Sequence, residues 1–169
     1  LSLRRQRQMC IRDRLINDYE FGMTKKETSS IFEEMKPRLL DLRQRISEAK
    51  LSKPELEGDF NTEKQLKLAH EIAETFFYDF DRGRIDIVAH PFCSGGGDDV
   101  RITTRVDNKD PFNCLYSTIH EVGHACYEQN VSSDFLHSPL GSGVSLGIHE
   151  SQSRICLLYT SPSPRDATL

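Results

Sequence analysis

Two histidines and a glutamate lie close together in the sequence, at His120, Glu121 and His124, and form an H-E-x-x-H pattern. On an α-helix, residues four positions apart share one face, so both imidazoles can reach one metal ion at about 2.0–2.1 Å. Glu121 can then accept a proton from a water molecule that the ion activates. The pattern predicts a zinc-binding helix, and the alternative is a surface helix with two incidental histidines. Apolar residues beside the histidines support the helix: Leu115, Ile119, Val122 and Cys126.

A third protein ligand must come from another part of the chain. The metzincin continuation of the motif is excluded, because Tyr127 and Asn130 stand where that class has a glycine and a third histidine. The downstream candidates are Glu128, His137, His149 and Glu150. The first of these lies on the same helix and would meet the ion at poor angles. Residues 125–149 leave room for a loop and a return helix, so the spacing favours Glu150. On that helix His149 would point about 100° away, and it stays open as the alternative ligand.

The hydrophobic pattern predicts a mainly α fold with a small antiparallel β-sheet, in which the H-E-x-x-H helix packs on a second ligand-bearing helix. Thr24 forms a capping box at the start of the first predicted helix, and Pro37 should kink or split that helix. An apolar stripe follows one face of it, made of Ile31, Met35, Leu39, Leu42 and Ile46. The predicted helices cover 25–49, 62–82, 112–130 and 143–158, and the predicted strands cover 85–89 and 100–106.

Charge and cysteine content exclude several classes of protein. The 169 residues include 22 Lys and Arg and 26 Asp and Glu, which gives a formal net charge of −4. Five of the arginines fall in residues 1–14, so the remainder is still more acidic and we expect no nucleic-acid partner. No apolar run reaches the roughly 18 residues of a membrane span, so we expect no membrane partner. The five cysteines form no C-x-x-C pair, which argues against a disulfide framework or a thiolate zinc site and favours the cytoplasm.

Polar residues outside the H-E-x-x-H helix could also contribute to a site. Asp99, Arg101 and Thr103 alternate along a predicted strand and therefore share one face, which is either the solvated face or the wall of a cleft. In the second case the strand would be an edge strand that pairs with a substrate backbone. Arg154 follows Glu150 by one helical turn, so an ion pair that orients the ligand is favoured over direct contact with a substrate. His90 is either a hydrogen-bonded strand-end residue or a neighbour of the same cleft.

Four motifs occur in a fixed order and carry a resemblance to a known family. They are His90-Pro91-Phe92, the D-x-R-x-T segment from Asp99 to Thr103, the H-E-x-x-H helix, and the H-E-S-Q-S-R segment from His149 to Arg154. Over residues 15–155 the sequence resembles the carboxypeptidase Taq family of zinc metallocarboxypeptidases. The resemblance implies a zincin-like (gluzincin) fragment that uses zinc, or alternatively cobalt.

The resemblance also implies roles for individual residues. His120 and His124 would be zinc ligands, Glu150 the third ligand and Glu121 the general base. The segment from Asp99 to Thr103 would line the cleft. The implied reaction is hydrolysis of a peptide substrate at its C-terminal residue, and a homodimer is expected for the full-length protein.

The two ends of the chain differ in composition from the part that carries the motifs. Residues 1–14 and 156–169 share no pattern with it, and we interpret them as non-native or disordered segments that flank part of one catalytic domain at 15–155. Two further family signatures, I/V-R-x-x-A-D and G-x-x-Q-D-x-H-W, are absent from the sequence. Two alternatives to a carboxypeptidase are therefore a catalytically incomplete zinc-binding fragment and an H-E-x-x-H endopeptidase of a related helical group.

Overall fold

The computed structural model describes residues 3–49 and 56–160, with side chains described for 10–49 and 56–157. The chain divides into two compact units, Leu1–Glu55 and Leu56–Leu169. None of the helices in the two described ranges combines the length and the apolar character that crossing a membrane requires. The predicted mainly helical fold with a small sheet is confirmed.

The first unit consists of two helices, α1 at Leu3–Asn17 and α2 at Lys25–Glu48. The predicted capping box is present, because the Glu27 N–H donates to Thr24 Oγ1 and the Thr24 N–H donates to Glu27 Oε2. Pro37 does not split the helix. The apolar stripe lies along α2 as predicted, and its five members are 43–57% exposed. Residues 3–14 belong to α1, and their interpretation as a non-native segment stays a prediction.

The second unit contains three helices and three strands. The helices are α3 at Thr62–Thr75, α4 at Pro111–Gln129 and α5 at Leu146–Thr160, and the strands are β1 at Ile85–Ile87, β2 at Cys93–Gly96 and β3 at Asp99–Thr104. Short 3₁₀ turns at Phe80–Arg82, Ser133–Phe135 and Pro139–Gly141 join some of these elements. The residues that could do chemistry all lie in this unit.

Helix α3 begins at the predicted residue but ends earlier than predicted. Its N-cap is Asn61, whose side chain accepts hydrogen bonds from the backbone of the first turn. The Gln65 side-chain amide donates to the Phe60 and Asp107 carbonyls. The helix ends seven residues earlier than residue 82, at Thr75, because Phe77 adopts a left-handed conformation with φ of 65° and turns the chain away. A hydrophobic stripe does not report such a local backbone turn.

The sheet is mixed, so the prediction of a purely antiparallel sheet is wrong in this respect. Its strand order is β1-β3-β2, with β1 parallel to β3 and β2 antiparallel to β3. The strand that sequence patterning missed is β2, because two of its four residues are glycines, Gly95 and Gly96, and the segment resembles a turn. Its presence on one side of β3 leaves the other side for β1.

The core lies between the sheet and the helices. Val100 and Ile102 of β3 are fully buried, and they form one cluster with Val122 and Ala125 of α4 and with Ala73 of α3. Burying the apolar face of α4 in this way turns its polar face toward α5. The packing of α4 against the sheet therefore sets the direction of the H-E-x-x-H side chains.

Candidate metal centre

Helix α4 presents the two motif histidines on one face. The helix begins at Pro111 after the N-cap Asp110, whose side chain accepts a hydrogen bond from the Phe112 N–H. Two turns further along, His120 and His124 lie with their Nε2 atoms 3.2 Å apart. Both rings are partly buried and lie edge to face, with centroids 4.8 Å apart. The two imidazoles therefore converge on one point through the same kind of nitrogen.

Helix α5 brings a carboxylate to the same point. Glu150 Oε2 lies 3.3 Å from His124 Nε2 and 3.7 Å from His120 Nε2. The two helices approach so closely because Gly123 has no side chain; a Cβ there would lie 2.5 Å from Ser153 Cα. The glycine inside the motif thus allows the second helix to deliver its ligand.

The donor set fits a divalent metal ion. His120, His124 and Glu150 each offer one ligand atom, and these atoms lie within 4.8 Å of one another. In a tetrahedral zinc site with bonds of about 2.0–2.1 Å, neighbouring ligand atoms are separated by roughly 3.3 Å. The three separations from 3.2 to 3.7 Å are therefore close to those of a metal site.

The protonation states of these groups also suit a metal. Burial lowers the pKa of His120 and of His124, which keeps both imidazoles neutral. Burial alone would raise the pKa of Glu150, but the hydrogen bond from Arg154 and the two nearby histidines hold that pKa below its ordinary value. Neutral imidazole nitrogens and an ionised carboxylate are the forms that bind a cation.

Glu121 is the buried acid of the site. Its residue surface is 6% exposed, and burial followed by the nearby Glu150 carboxylate raises its pKa to about 7. A carboxyl group with a pKa in this range can both accept and release a proton near neutral pH. This property distinguishes Glu121 from the ionised Glu150.

The chain is similar in sequence and in structure to known proteins. The sequence model of the carboxypeptidase Taq (M32) metallopeptidase family matches residues 3–158. The chain belongs to this family. Membership in a metallopeptidase family implies a divalent metal ion, and the cluster of two histidines and a glutamate provides ligands for it.

Family relatives match most of this chain, although it covers only a part of each of them. Thermostable carboxypeptidase 1 of Thermus thermophilus is 42% identical over 146 residues, which are 84% of this chain and 28% of that protein. Carboxypeptidase 1 of Bacillus subtilis is 40% identical over 145 residues, or 83% and 29% of the two chains. The crystal structure of the M32 carboxypeptidase from Deinococcus radiodurans R1 superposes with a TM-score of 0.79 at 46% identity, over 85% of this chain and 29% of that one. The chain therefore spans less than a third of the length of these relatives.

The alternative ligand, His149, lies behind the cluster. Its Nδ1 is 2.7 Å from His124 Nδ1, on the side of that ring opposite the Nε2 atom that faces Glu150. Its Nε2 is 2.7 Å from Glu128 Oε1. Both nitrogens of His149 are thus engaged away from the ligand atoms. Sequence reasoning placed Glu128 only as a weak ligand candidate and missed this contact, which depends on the register between α4 and α5.

The arginine on α5 contacts the carboxylate of the cluster. Arg154 Nε lies 2.7 Å from Glu150 Oε1, while Oε2 of the same carboxylate faces the histidines. One oxygen is therefore held by the arginine and the other is directed at the ligand atoms of α4. The Arg154 side chain is 64% exposed, so its charge is well screened by solvent.

The prediction that the D-x-R-x-T strand is an edge strand is wrong. This strand is β3, the central one, with β2 paired along Asp99–Ile102 on one side and β1 along Ile102–Thr104 on the other. Asp99 and Arg101 pair with each other through two hydrogen bonds of 2.8 Å. Among the described residues the sheet edges belong to the two outer strands.

Thr103 connects two of the family motifs. Its side chain is buried rather than lining the exposed face of the strand. Its hydroxyl accepts a hydrogen bond of 2.7 Å from the Phe92 N–H and donates one of 3.0 Å to the Phe92 carbonyl. These bonds anchor the His-Pro-Phe segment to the central strand. His90 is exposed in that segment, and a role for it at the site stays a prediction.

Proposed function

We propose that this chain carries the catalytic centre of a zinc-dependent metallocarboxypeptidase, which releases C-terminal amino acids from peptides. The observation that carries the proposal is the convergence of His120, His124 and Glu150 from two helices beside the buried Glu121. Family membership supports the reaction class. The chain covers less than a third of its relatives, so the activity itself is part of the proposal.

The proposed metal is zinc, held by His120 and His124 through Nε2 and by Glu150 through Oε2. Two imidazoles and one carboxylate are a ligand set that catalytic zinc sites use, and cobalt fits the same set. A bound divalent ion would supply Lewis-acid activation of a water molecule and of the scissile carbonyl. With three protein ligands, one position would stay open for that chemistry.

Glu121 is proposed as the general base. Its carboxylate would accept a proton from the attacking water and then donate that proton to the nitrogen of the leaving amine. In the metal-free chain burial raises the pKa of Glu121 to about 7, and a neighbouring cation would lower it toward the ionised form that accepts the proton. The same group can therefore serve in both directions within one turnover.

Recognition of a C-terminal carboxylate requires a cation, and an arginine is best suited to bind it in a bidentate manner. Three arginines of the second unit could supply it: Arg101, Arg105 and Arg154. Arg154 donates to Glu150, Arg105 donates to Asn113, and Arg101 is paired with Asp99. We propose that Arg154 orients the ligand. The resemblance implies that two family signatures, I/V-R-x-x-A-D and G-x-x-Q-D-x-H-W, help to bind the substrate carboxylate. Both are absent from the sequence.

The test uses the purified 169-residue chain with metal content and hydrolysis measured together. We expect one zinc per chain, and release of the last residue from N-blocked peptides that is abolished by Glu121→Gln without loss of the metal. A His120→Ala variant should lose both the metal and the hydrolysis. A chain that binds no divalent ion would contradict the proposed centre.

The same assay separates the two alternatives. One bound zinc with no hydrolysis of any peptide would indicate a catalytically incomplete zinc-binding fragment. Amidation of the substrate's C-terminus should abolish cleavage by a carboxypeptidase, whereas an H-E-x-x-H endopeptidase should still cleave the amidated peptide.

We also propose a cytoplasmic location and a dimeric assembly. All five cysteines are free thiols, which fits a cytoplasmic protein. A homodimer is proposed for the full-length protein, and light scattering after size-exclusion chromatography would measure it.

A further inference from the structure

A continuous chain of side chains runs from Glu128 through His149 to His124. Glu128 Oε1 lies 2.7 Å from His149 Nε2, and His149 Nδ1 lies 2.7 Å from His124 Nδ1. The two imidazole planes are within 20° of each other and their centroids are 4.6 Å apart. The 2.7 Å distance between the facing nitrogens is within hydrogen-bond range.

The middle member of this chain is held in place from several sides. The backbone N–H of His149 donates to the Ser145 carbonyl, and the Tyr127 ring packs against the imidazole with centroids 5.0 Å apart. Gly143 leaves room for the ring, since a Cβ there would lie 3.1 Å from His149 Cδ2. The side chains of Glu128 and His149 are only 15% and 21% exposed. The ring is thus fixed by packing as well as by its hydrogen bonds.

The hydrogen-bond directions follow from the chemistry of the imidazoles. If His124 presents Nε2 to a metal, its proton must be on Nδ1, which then donates to His149 Nδ1. His149 must in turn carry its proton on Nε2, where it donates to Glu128 Oε1. Every donor in the chain then meets an acceptor. The opposite direction would place a proton on His124 Nε2 and block it from ligation.

We infer that Glu128 and His149 are positioning residues, which hold His124 in the tautomer and orientation that direct its Nε2 toward a divalent cation. The inference rests on the proposed metal centre and adds two residues that do not touch the ion. A carboxylate that accepts from a ligating histidine is a common support in metal sites. Here the support is extended by one imidazole, because His149 of α5 lies between Glu128 and His124.

A purely structural role is the competing explanation, because the same contacts tie α5 to α4. It predicts that removal of Glu128 lowers the stability of the metal-free protein and affects the metal only through this loss. The positioning role predicts weaker metal binding at unchanged metal-free stability. It also predicts that Glu128 has no effect on the metal when His149 is absent.

The experiment measures the Zn²⁺ dissociation constant of the full 169-residue chain by competition with a chromophoric chelator. Glu128→Gln retains the size of the side chain and removes its charge, and we expect about tenfold weaker binding, at the lower end of the range for such supports. His149→Phe keeps a ring in place but removes both nitrogens, and a loss of up to about 100-fold is expected. Glu71→Gln on α3 is the matched control, since its carboxylate is a surface partner of Lys67.

Three further measurements decide between the explanations. The double variant should bind Zn²⁺ no more weakly than His149→Phe alone, because Glu128 acts through that ring. The visible absorption spectrum of the Co²⁺-loaded chain should shift in Glu128→Gln and not in the control. Thermal unfolding of the metal-free Glu128→Gln chain should match the wild type. If His149→Phe does not fold, the spectrum and affinity of Glu128→Gln decide alone.

Several results would overturn the inference. They are wild-type Zn²⁺ affinity and Co²⁺ spectrum in Glu128→Gln, additive losses in the double variant, or an affinity loss accompanied by lower metal-free stability. A wild-type chain that binds no Zn²⁺ would overturn the proposed metal centre as well, whereas normal wild-type binding with an unaffected Glu128→Gln overturns the positioning role only.

Discussion

Replacement of Gly123 by alanine should separate the two ligand-bearing helices. A Cβ at this position would lie 2.5 Å from Ser153 Cα and 3.1 Å from both Gln152 O and Ser153 N. All three atoms belong to the backbone of α5, so no flexible side chain can rotate to make room. The added methyl group must therefore displace the helix that carries Glu150, three residues from Ser153.

The size of the displacement follows from ordinary contact distances. Carbon atoms pack at about 3.5–4.0 Å, so the helices must move apart by roughly 1 Å at the Gly123 contact. Metal–ligand distances tolerate only about 0.2 Å, which means that Glu150 would leave bonding range unless its side chain rearranged. Overpacking costs about 1–3 kcal/mol, while replacing a helical glycine by alanine returns up to ~1 kcal/mol. We therefore expect a net loss of up to about 2 kcal/mol in stability and at least about tenfold weaker metal binding.

Urea unfolding of the metal-free chain and Zn²⁺ competition would measure the two effects. Lys67→Ala on α3 is the control, since it also introduces an alanine into a helix and its exposed side chain pairs with Glu71 at the surface. A Gly123→Ala chain with wild-type Zn²⁺ affinity would refute the argument that this glycine sets the position of Glu150.

Three other predictions concern parts of the fold outside the ligand cluster. Tyr78→Phe removes the hydroxyl that donates to the buried Val100 carbonyl at 2.6 Å, and it should lower the free energy of unfolding in urea by about 1–3 kcal/mol; an unchanged unfolding midpoint would contradict this. Burial raises the pKa of the Cys93 thiol to about 12, so at pH 8 only on the order of 10⁻⁴ of it is thiolate, and mass spectrometry should find it alkylated only after unfolding; labelling of the native chain at the rate of a free thiol would refute that. The hydrogen bonds from Thr24 lower the pKa of Glu27, so this carboxylate stabilises the fold above its ordinary pKa of 4.5, and its contribution is lost as the pH falls through the lowered value. The stability difference between wild type and Thr24→Ala should therefore shrink in acid, and a difference that grows there would disprove the assignment.

The sequence predicts those parts of the site that depend on the geometry of a single helix. The spacing of His120 and His124 alone predicts a shared face, and the structure has them on one face with their Nε2 atoms 3.2 Å apart. The spacing to Glu150 predicts a return helix, which is α5. The link from Glu128 to His149 was missed because it requires the register between two helices, which no pattern within either helix reports.

The position of a strand within the sheet also could not be predicted from the sequence. Alternation along β3 predicted a strand, but its place in the middle of the sheet depends on β2, whose glycines carry no strand signal. Asp99 and Arg101 therefore pair with each other on the face of a central strand. In the same way, the left-handed turn at Phe77 ends α3 where the apolar stripe would continue. Local backbone turns and the neighbours of a strand are set by tertiary packing, which overrides the hydrophobic periodicity of the sequence.

The ligand set joins His120 and His124 on α4 to Glu150 on α5, across the loop and the 3₁₀ turns that separate them. An ion bound there would act as a cross-link that closes this loop, in the way that a disulfide restricts an unfolded chain. Removal of the ion by a chelator would then also remove the cross-link between α4 and α5. Protease cleavage between residues 131 and 145 should accordingly be fast without the metal and slow with it.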